Sequence, residues 1–297
     1  MKTGFHFKTI WVIESLPNGE YRTGKELYDD VLYYKHIQDP NVLVEFVEVT
    51  DKSSLKEQLG KILLTLKSTG QIPLIHFETH GNKEGLELKS GDFVLYEDLC
   101  QILREINILT QNNLFVIVAA CNGAYLSFIL KNSLTMPCPF WGICGPSVKI
   151  NAVDIIAGYS AFYDEAFISA NMNAALDRLK QSIPHHANNF NIWNSEYMFV
   201  HAFKHYLHDY CNSNAVDQRT KSILQQVQSG LNDTFSAEKI ESYVRERLGT
   251  ENGQRQEFER MKALFFMHNL YPGVSSLPNP SFGEMMKFRL LEKEITQ

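Results

Sequence analysis

Positive charge is what this chain has least to spare. Against 34 Asp and Glu stand 28 Lys and Arg, for a formal net charge of −6 over 297 residues. The basic residues are scattered, so no face outweighs the acidic balance, and nonspecific nucleic-acid binding is excluded. Long apolar runs are also missing. No stretch approaches the roughly 18 apolar residues that read as a membrane span. The opening Met1-Lys2-Thr3-Gly4-Phe5-His6-Phe7 has no apolar segment followed by small residues, so no signal peptide is expected. Cysteine is sparse and unpaired in pattern. Cys100, Cys121, Cys138, Cys144 and Cys211 are odd in number, with no CxxC and no zinc-ribbon spacing. These features predict a reduced, cytoplasmic protein. Repeats and low-complexity segments are absent. What remains, 44% hydrophobic and 21% charged residues, is the composition of an ordinary globular protein with a substantial core.

The hydrophobic pattern alternates between strand and helix. Thr9–Ile13 and Val42–Val49 read as strands, with a turn-rich loop at Ser15–Gly24 and a helix over Lys25–Lys35 between them. Leu55, Leu59, Ile62, Leu63 and Leu66 fall on one face of a helix that Asp51 or Ser53 can cap and Gly70 can end. Ile72–Gly81 is a third strand, and 85–95 suggests a hairpin. A helix over Tyr96–Ile106, a strand over Leu114–Ala120, a helix to about Leu130, a fifth strand at Phe140–Gly145 and a long helix from Asp154 to about Pro184, with a break expected near Ser169-Ala170-Asn171, complete the pattern. Strand and helix in alternation predict an α/β fold with a mostly parallel central sheet. From His185 onward no strand-like run is evident, and helical patterns fill 194–211, 215–229, 236–248 and 252–269. Two domains follow: an α/β domain over 1–184 and an all-helical region over 185–297.

Two strand ends carry chemistry. Leu114–Ala120 stops at Cys121-Asn122-Gly123, and the strand about forty residues earlier stops at His80-Gly81. Parallel strands end on the same sheet edge, where such sheets place their ligands. Neighbouring strands lie about 5 Å apart, so a thiol and an imidazole at these ends can face each other. A free thiol is only a few per cent thiolate at neutral pH, so a cysteine nucleophile needs a base. His80 as base, Cys121 as nucleophile, and the backbone N–H groups of Gly81 and Cys121 as oxyanion donors form one consistent set for acyl transfer. A rival reading comes from His76, Glu78 and His80, which alternate onto one strand face and offer two imidazoles and a carboxylate to zinc. No further ligand is spaced to help them, and no metal or cofactor is expected. His185-His186 and the cluster His201, His205 and His208 also attract a metal reading, but the latter three share a helical face and read as polar surface beside Phe199, Phe203 and Tyr206.

An apolar block ending in His80-Gly81, followed by one ending in Ala120-Cys121, resembles the caspase-like cysteine peptidases, the group that includes metacaspases, separase and the CHAT peptidases. Arg22-Thr23-Gly24 with Asp29-Asp30 and Leu32 looks like the arginine-glycine loop and helix after the first strand of a caspase. Phe140 to Lys180, with Trp141, Asp154, Phe162-Tyr163 and Ala174-Ala175-Leu176, looks like a CHAT domain. The resemblance covers about residues 5–182. It implies a three-layer caspase-hemoglobinase sandwich, hydrolysis of protein substrates, and a bacterial effector protease of defence or cell death. It also implies a small-molecule or protein activator acting at the helical C-terminal region. Ala119 stands where caspases carry the glutamine that helps bind a P1 aspartate, so the substrate pocket is open to two readings. Arg22 would select an acidic P1 residue; Glu20 or Asp154 would select a basic one, with Trp141 as part of the substrate wall. The linker from Lys131 to Pro139 is too short for a cleavable intersubunit segment. The alternative to an enzyme is a non-catalytic caspase-like protein that binds a partner or signal.

Overall fold

The computed structural model describes residues 7–230 and 236–287; parts of the expected spans 1–184 and 185–297 lie outside them. The chain divides into two compact units. The first runs to Ile129 and resumes at Cys138–Ser195; the second takes Leu130–Pro137 and everything from Glu196 onward.

In the first unit, β1 (Thr9–Ser15), β2 (Leu43–Glu48), β3 (Pro73–Gly81), β6 (Phe115–Ala119), β7 (Gly142–Pro146) and β8 (Phe190–Asn194) form a sheet in the order β2-β1-β3-β6-β7-β8. All the pairings are parallel except β7 with β8, which is antiparallel. A hairpin of β4 (Gly85–Glu87) and β5 (Phe93–Leu95) extends from the end of β3. The sheet is therefore mixed α/β and mostly parallel. Two-residue alternation divides each strand between two buried faces. On one face Ile10, Val12, Leu74, Phe115, Ile117 and Cys144 pack with α5 (Ala152–Ser169), α6 (Met172–Ser182) and the short α1 (Thr23–Leu27). The opposite-facing Ile13, Ile75, Phe77, Val116, Val118 and Ile143 are equally buried. α3 (Lys52–Thr69) and α4 (Tyr96–Leu109), each with an apolar stripe buried, pack on each other.

Local chemistry accounts for the boundaries. Asp51 accepts the Ser54 backbone N–H at 2.8 Å to start α3, and Gly70, with φ of 69°, ends it in the left-handed region. Three expectations are corrected. The helix expected over Lys25–Lys35 is α1, then a π-helical turn at Tyr28–Leu32, then α2 (Tyr33–Gln38). Leu27 and Leu32, both buried, are five residues apart; a regular α-helix would turn them about 140° from each other, and the wider turn keeps both inward. The segment after Cys121 is a 3₁₀ helix, Gly123–Asn132, rather than an α-helix. And a strand does occur beyond His185: Phe190–Asn194 alternates Phe190, Ile192 and Asn194 against Asn191 and Trp193, a pattern diluted by asparagine and stabilised as an antiparallel edge on β7.

The second unit is helical: α7 (Ser195–Tyr210, entering from the first unit), α8 (Ser213–Gly230), α9 (Ala237–Gly249) and α10 (Glu251–Phe265). Its interior is aromatic. Phe199 lies 5.2 Å from Phe258, 5.3 Å from Phe265 and 5.1 Å from Phe266, measured between ring centroids. Among the described residues no helix is long and apolar enough to cross a membrane.

One polar chain runs through the core of the first unit. Tyr163 on α5 and His76 on β3, both fully buried, meet at 2.9 Å through the phenol oxygen and Nδ1. His76 Nε2 in turn lies 2.9 Å from Glu78. Tyr163→Phe removes the hydroxyl and leaves a buried ring nitrogen unpaired, at a cost of about 1–3 kcal/mol. A urea unfolding midpoint unchanged from wild type would contradict this.

Candidate active site

The register of β3 on β6 places the site. Glu78 lies level with Ala119, the last pair of the two strands, and His80 and Cys121 each stand two residues beyond it in their own chains. Both residues line a cleft of about 200 Å³ at this sheet edge. The cleft is walled by Leu16, Glu20, Tyr21 and Thr23 from the β1–α1 segment, by Glu78 and Thr79 from β3, and by Ala119 and Ala120 from β6. Ile150, Ala152 and Ile155 close it from the loop after β7 and the start of α5.

Backbone geometry presents the thiol. After Cys121 the chain reverses through Asn122, whose φ of 60° lies in the left-handed region that asparagine tolerates better than most residues. Gly123 then passes so close to β6 that a Cβ would sit 2.3 Å from the Val118 carbonyl oxygen. Only glycine fits this turn, which explains the Cys-Asn-Gly ending. Gly81 is also pressed inward: a Cβ there would be 3.2 Å from Ala120 Cβ and 3.3 Å from the carbonyl oxygen of Cys121. Cys121 Sγ lies 3.8 Å from the Ile150 carbonyl oxygen.

The thiols differ sharply in setting. Cys100, Cys138 and Cys144 are buried, and burial pushes Cys100 and Cys144 up to about 12 and Cys138 higher still. They stay protonated at neutral pH. Cys121 is half-buried at the cleft.

His80 does not stand alone. Its Nε2 lies 2.6 Å from Glu20 Oε2, across sixty residues of sequence. Because an ionised carboxylate only accepts, Nε2 carries the hydrogen, and in the neutral ring Nδ1 is left with its lone pair free. Glu20, named from the sequence as a substrate contact, thus also holds the imidazole. His76 and Glu78 are occupied by each other, with Thr23 Oγ1 donating to the second Glu78 oxygen at 2.7 Å. His76, Glu78 and His80 therefore have separate partners.

The other substrate candidates are distributed differently. Arg22 donates from Nε to the buried Glu14 and from its terminal nitrogen to Glu48, each at 2.7 Å. Hydrogen bonding to Glu14 above all holds its guanidinium in the charged form. Trp141 packs on Phe115, with centroids 6.1 Å apart, and Asp154 is bonded to Asn151 and His185; neither is among the cleft-lining residues. Sequence reasoning missed Glu78, Thr23 and Ile150 as cleft residues. Alternation along β3 placed Glu78 on the same face as His80, a signal that was read toward metal binding instead.

No family model matches the chain, and no curated protein does. Among solved structures the chain is similar to caspase-1 from Spodoptera frugiperda, at 14% identity and a TM-score of 0.44, over 65% of this chain and 88% of that one. It is also similar to the complex of Porphyromonas gingivalis RgpB pro- and mature domains, at 13% identity and a TM-score of 0.37, over 65% of this chain and 48% of that one.

Proposed function

We propose that the chain is a cysteine endopeptidase in which Cys121 attacks a peptide carbonyl and His80 is the base. The observation that carries this reading is the shared cleft: the half-buried Cys121 and His80, an imidazole bonded through Nε2 to Glu20, line the same cavity. His80 Nδ1 takes the thiol proton, the thiolate adds to the carbonyl carbon, and the backbone N–H groups of Gly81 and Cys121 stabilise the oxyanion. The imidazolium then protonates the leaving amine, and water hydrolyses the thioester with His80 again as base. Glu20 acts through His80 as a positioning residue.

The pocket reading favours a basic P1 residue. Among the described residues Glu20 and Glu78 are the acidic groups lining the cleft and no Lys or Arg lines it, and the Arg22 guanidinium is committed to Glu14 and Glu48. Aliphatic walls at Leu16, Ala119, Ile150 and Ile155 suit the stem of a lysine or arginine side chain, whose charge would meet the Glu78 carboxylate. Only residues 133–141 separate the 3₁₀ helix from β7. Regulation in this proposal therefore falls to a bound partner or ligand, in keeping with an effector protease of defence or cell death.

Three outcomes follow. Cys121→Ala and His80→Ala each abolish cleavage of a peptide library, assayed with and without cell extract as a source of activator, while circular dichroism stays unchanged. Cleavage that survives Cys121→Ala sinks the peptidase assignment, and a folded wild type that neither cleaves nor is alkylated at Cys121 supports a binding protein. Glu20→Gln lowers kcat about tenfold or more at unchanged KM if Glu20 orients His80. A rise in KM for basic substrates alone would make it a substrate contact instead. Matched substrates with Arg or Lys at P1 are cleaved with kcat/KM at least about tenfold above Asp, a difference of about 1.4 kcal/mol in transition-state binding; the reverse order refutes the pocket reading.

A further inference from the structure

Outside the cleft, three metal-ligating side chains converge. Asp154 stands in the first turn of α5, while His185 and His186 lie 31 and 32 residues later in a 3₁₀ turn, Pro184–Asn189. The α5–α6 hairpin brings the two segments together, with Ser182 Oγ donating to the Ala157 carbonyl at 3.3 Å. Both imidazoles aim Nε2 at the same carboxylate oxygen: Asp154 Oδ2 is 3.1 Å from His185 Nε2 and 3.6 Å from His186 Nε2. The three ligand atoms all lie within 4.8 Å of one another.

We propose that Asp154, His185 and His186 form a binding site for a first-row divalent cation of the zinc class. Bonds of about 2.0–2.2 Å to nitrogen and oxygen put neighbouring ligands of a tetrahedral ion about 3.3–3.5 Å apart. The two oxygen–nitrogen separations straddle that value, and with all three ligand atoms within 4.8 Å of one another the two imidazole nitrogens need only draw together to admit the ion. Two imidazoles and one carboxylate suit zinc, cobalt or nickel rather than calcium or magnesium, which take all-oxygen shells. Asp154 is oriented before any ion arrives. Asn151 Oδ1 accepts its backbone N–H at 2.9 Å, and Asn151 Nδ2 donates to Oδ2 at 2.6 Å. Burial would push this carboxyl up, but the bonds from His185 and Asn151 and the nearby imidazoles outweigh it and hold the group below its usual range, in the charged form a cation needs. Asn189 places its amide, with Nδ2 as assigned, 3.0 Å from His186 Nδ1. With the amide turned so that its oxygen accepts Nδ1–H, the Nε2 lone pair faces the ion, the outer-shell arrangement that histidine ligands require. The Asp154 side chain is 11% exposed, His186 22% and His185 62%, so the site is anchored at its base and open to solvent for entry and for a fourth ligand.

Ion pairing alone explains the arrangement less well. His185 and His186 have ring centroids 4.7 Å apart. Two imidazolium ions at that distance would repel, and a single oxygen already bonded to Asn151 would have to serve both. A divalent cation removes this conflict by binding both rings as neutral ligands. Ile155, which lines the cleft, directly follows Asp154, so occupancy would also stiffen one cleft wall.

The full chain titrated with Co²⁺ should show visible d–d bands saturating at one ion per chain, without a thiolate charge-transfer band, and Zn²⁺ should displace them. His185→Ala with His186→Ala, both away from the core, should weaken Co²⁺ binding at least tenfold and abolish the rise in Tm that Zn²⁺ causes in wild type. Absence of d–d bands in wild type at millimolar Co²⁺, unchanged binding in the double variant, or loss of binding on cysteine alkylation would each overturn the site. None of these readouts uses peptidase activity, so the proposal stands or falls apart from the assignment of Cys121.

Discussion

The parallel pairing of β3 with β6 is the constraint on which the candidate site depends. Its register, Glu78 level with Ala119, joins two strands buried on both faces, in which a slip of one residue would exchange the side chains packed on the two sides of the sheet. His80, at the end of β3, and Cys121, two residues beyond the end of β6, are thereby brought to one edge of the sheet, where both line the cleft.

Negative charge is then arranged around that edge in layers. Glu14 and Glu48 are neutralised by Arg22, with Lys89 also bonded to Glu48, which keeps that carboxyl below its ordinary range. Glu78 is buried on neutral or weakly basic donors, His76 and Thr23. Glu20 reaches His80 at the surface. Gly24 makes this packing possible, since a Cβ there would be 2.9 Å from Glu78 Cγ and 3.2 Å from Glu14 Oε1. The loop after β1 thus joins the imidazole, the buried carboxylate and the cleft wall in one segment, while Arg22 on the same segment is bonded to Glu14 and Glu48.

Much of this was legible in the chain itself. Apolar runs and helical stripes gave the strand–helix alternation, because burial on both faces leaves a continuous apolar signature. The ends of those runs singled out His80 and Cys121. Weaker signatures hid other elements. Phe190–Asn194 carries two asparagines and two aromatics on a sheet edge, where pairing to β7 and not composition makes the strand. The π turn at Tyr28–Leu32 depends on which side of α1 faces the core, a fact no local propensity encodes.

The sequence by itself determined the α/β class, the parallel sheet and the two strand ends that bear a thiol and an imidazole, since these follow from short-range periodicity. Tertiary structure alone decided the partners. Glu20 on His80, Arg22 on Glu14 and Glu48, and His185 and His186 on Asp154 are pairings across 60, 8, 26, 31 and 32 residues respectively. Such distances are closed by crossover connections and a helical hairpin, and a charged side chain read in sequence has no way to announce which of many opposite charges the fold will set beside it.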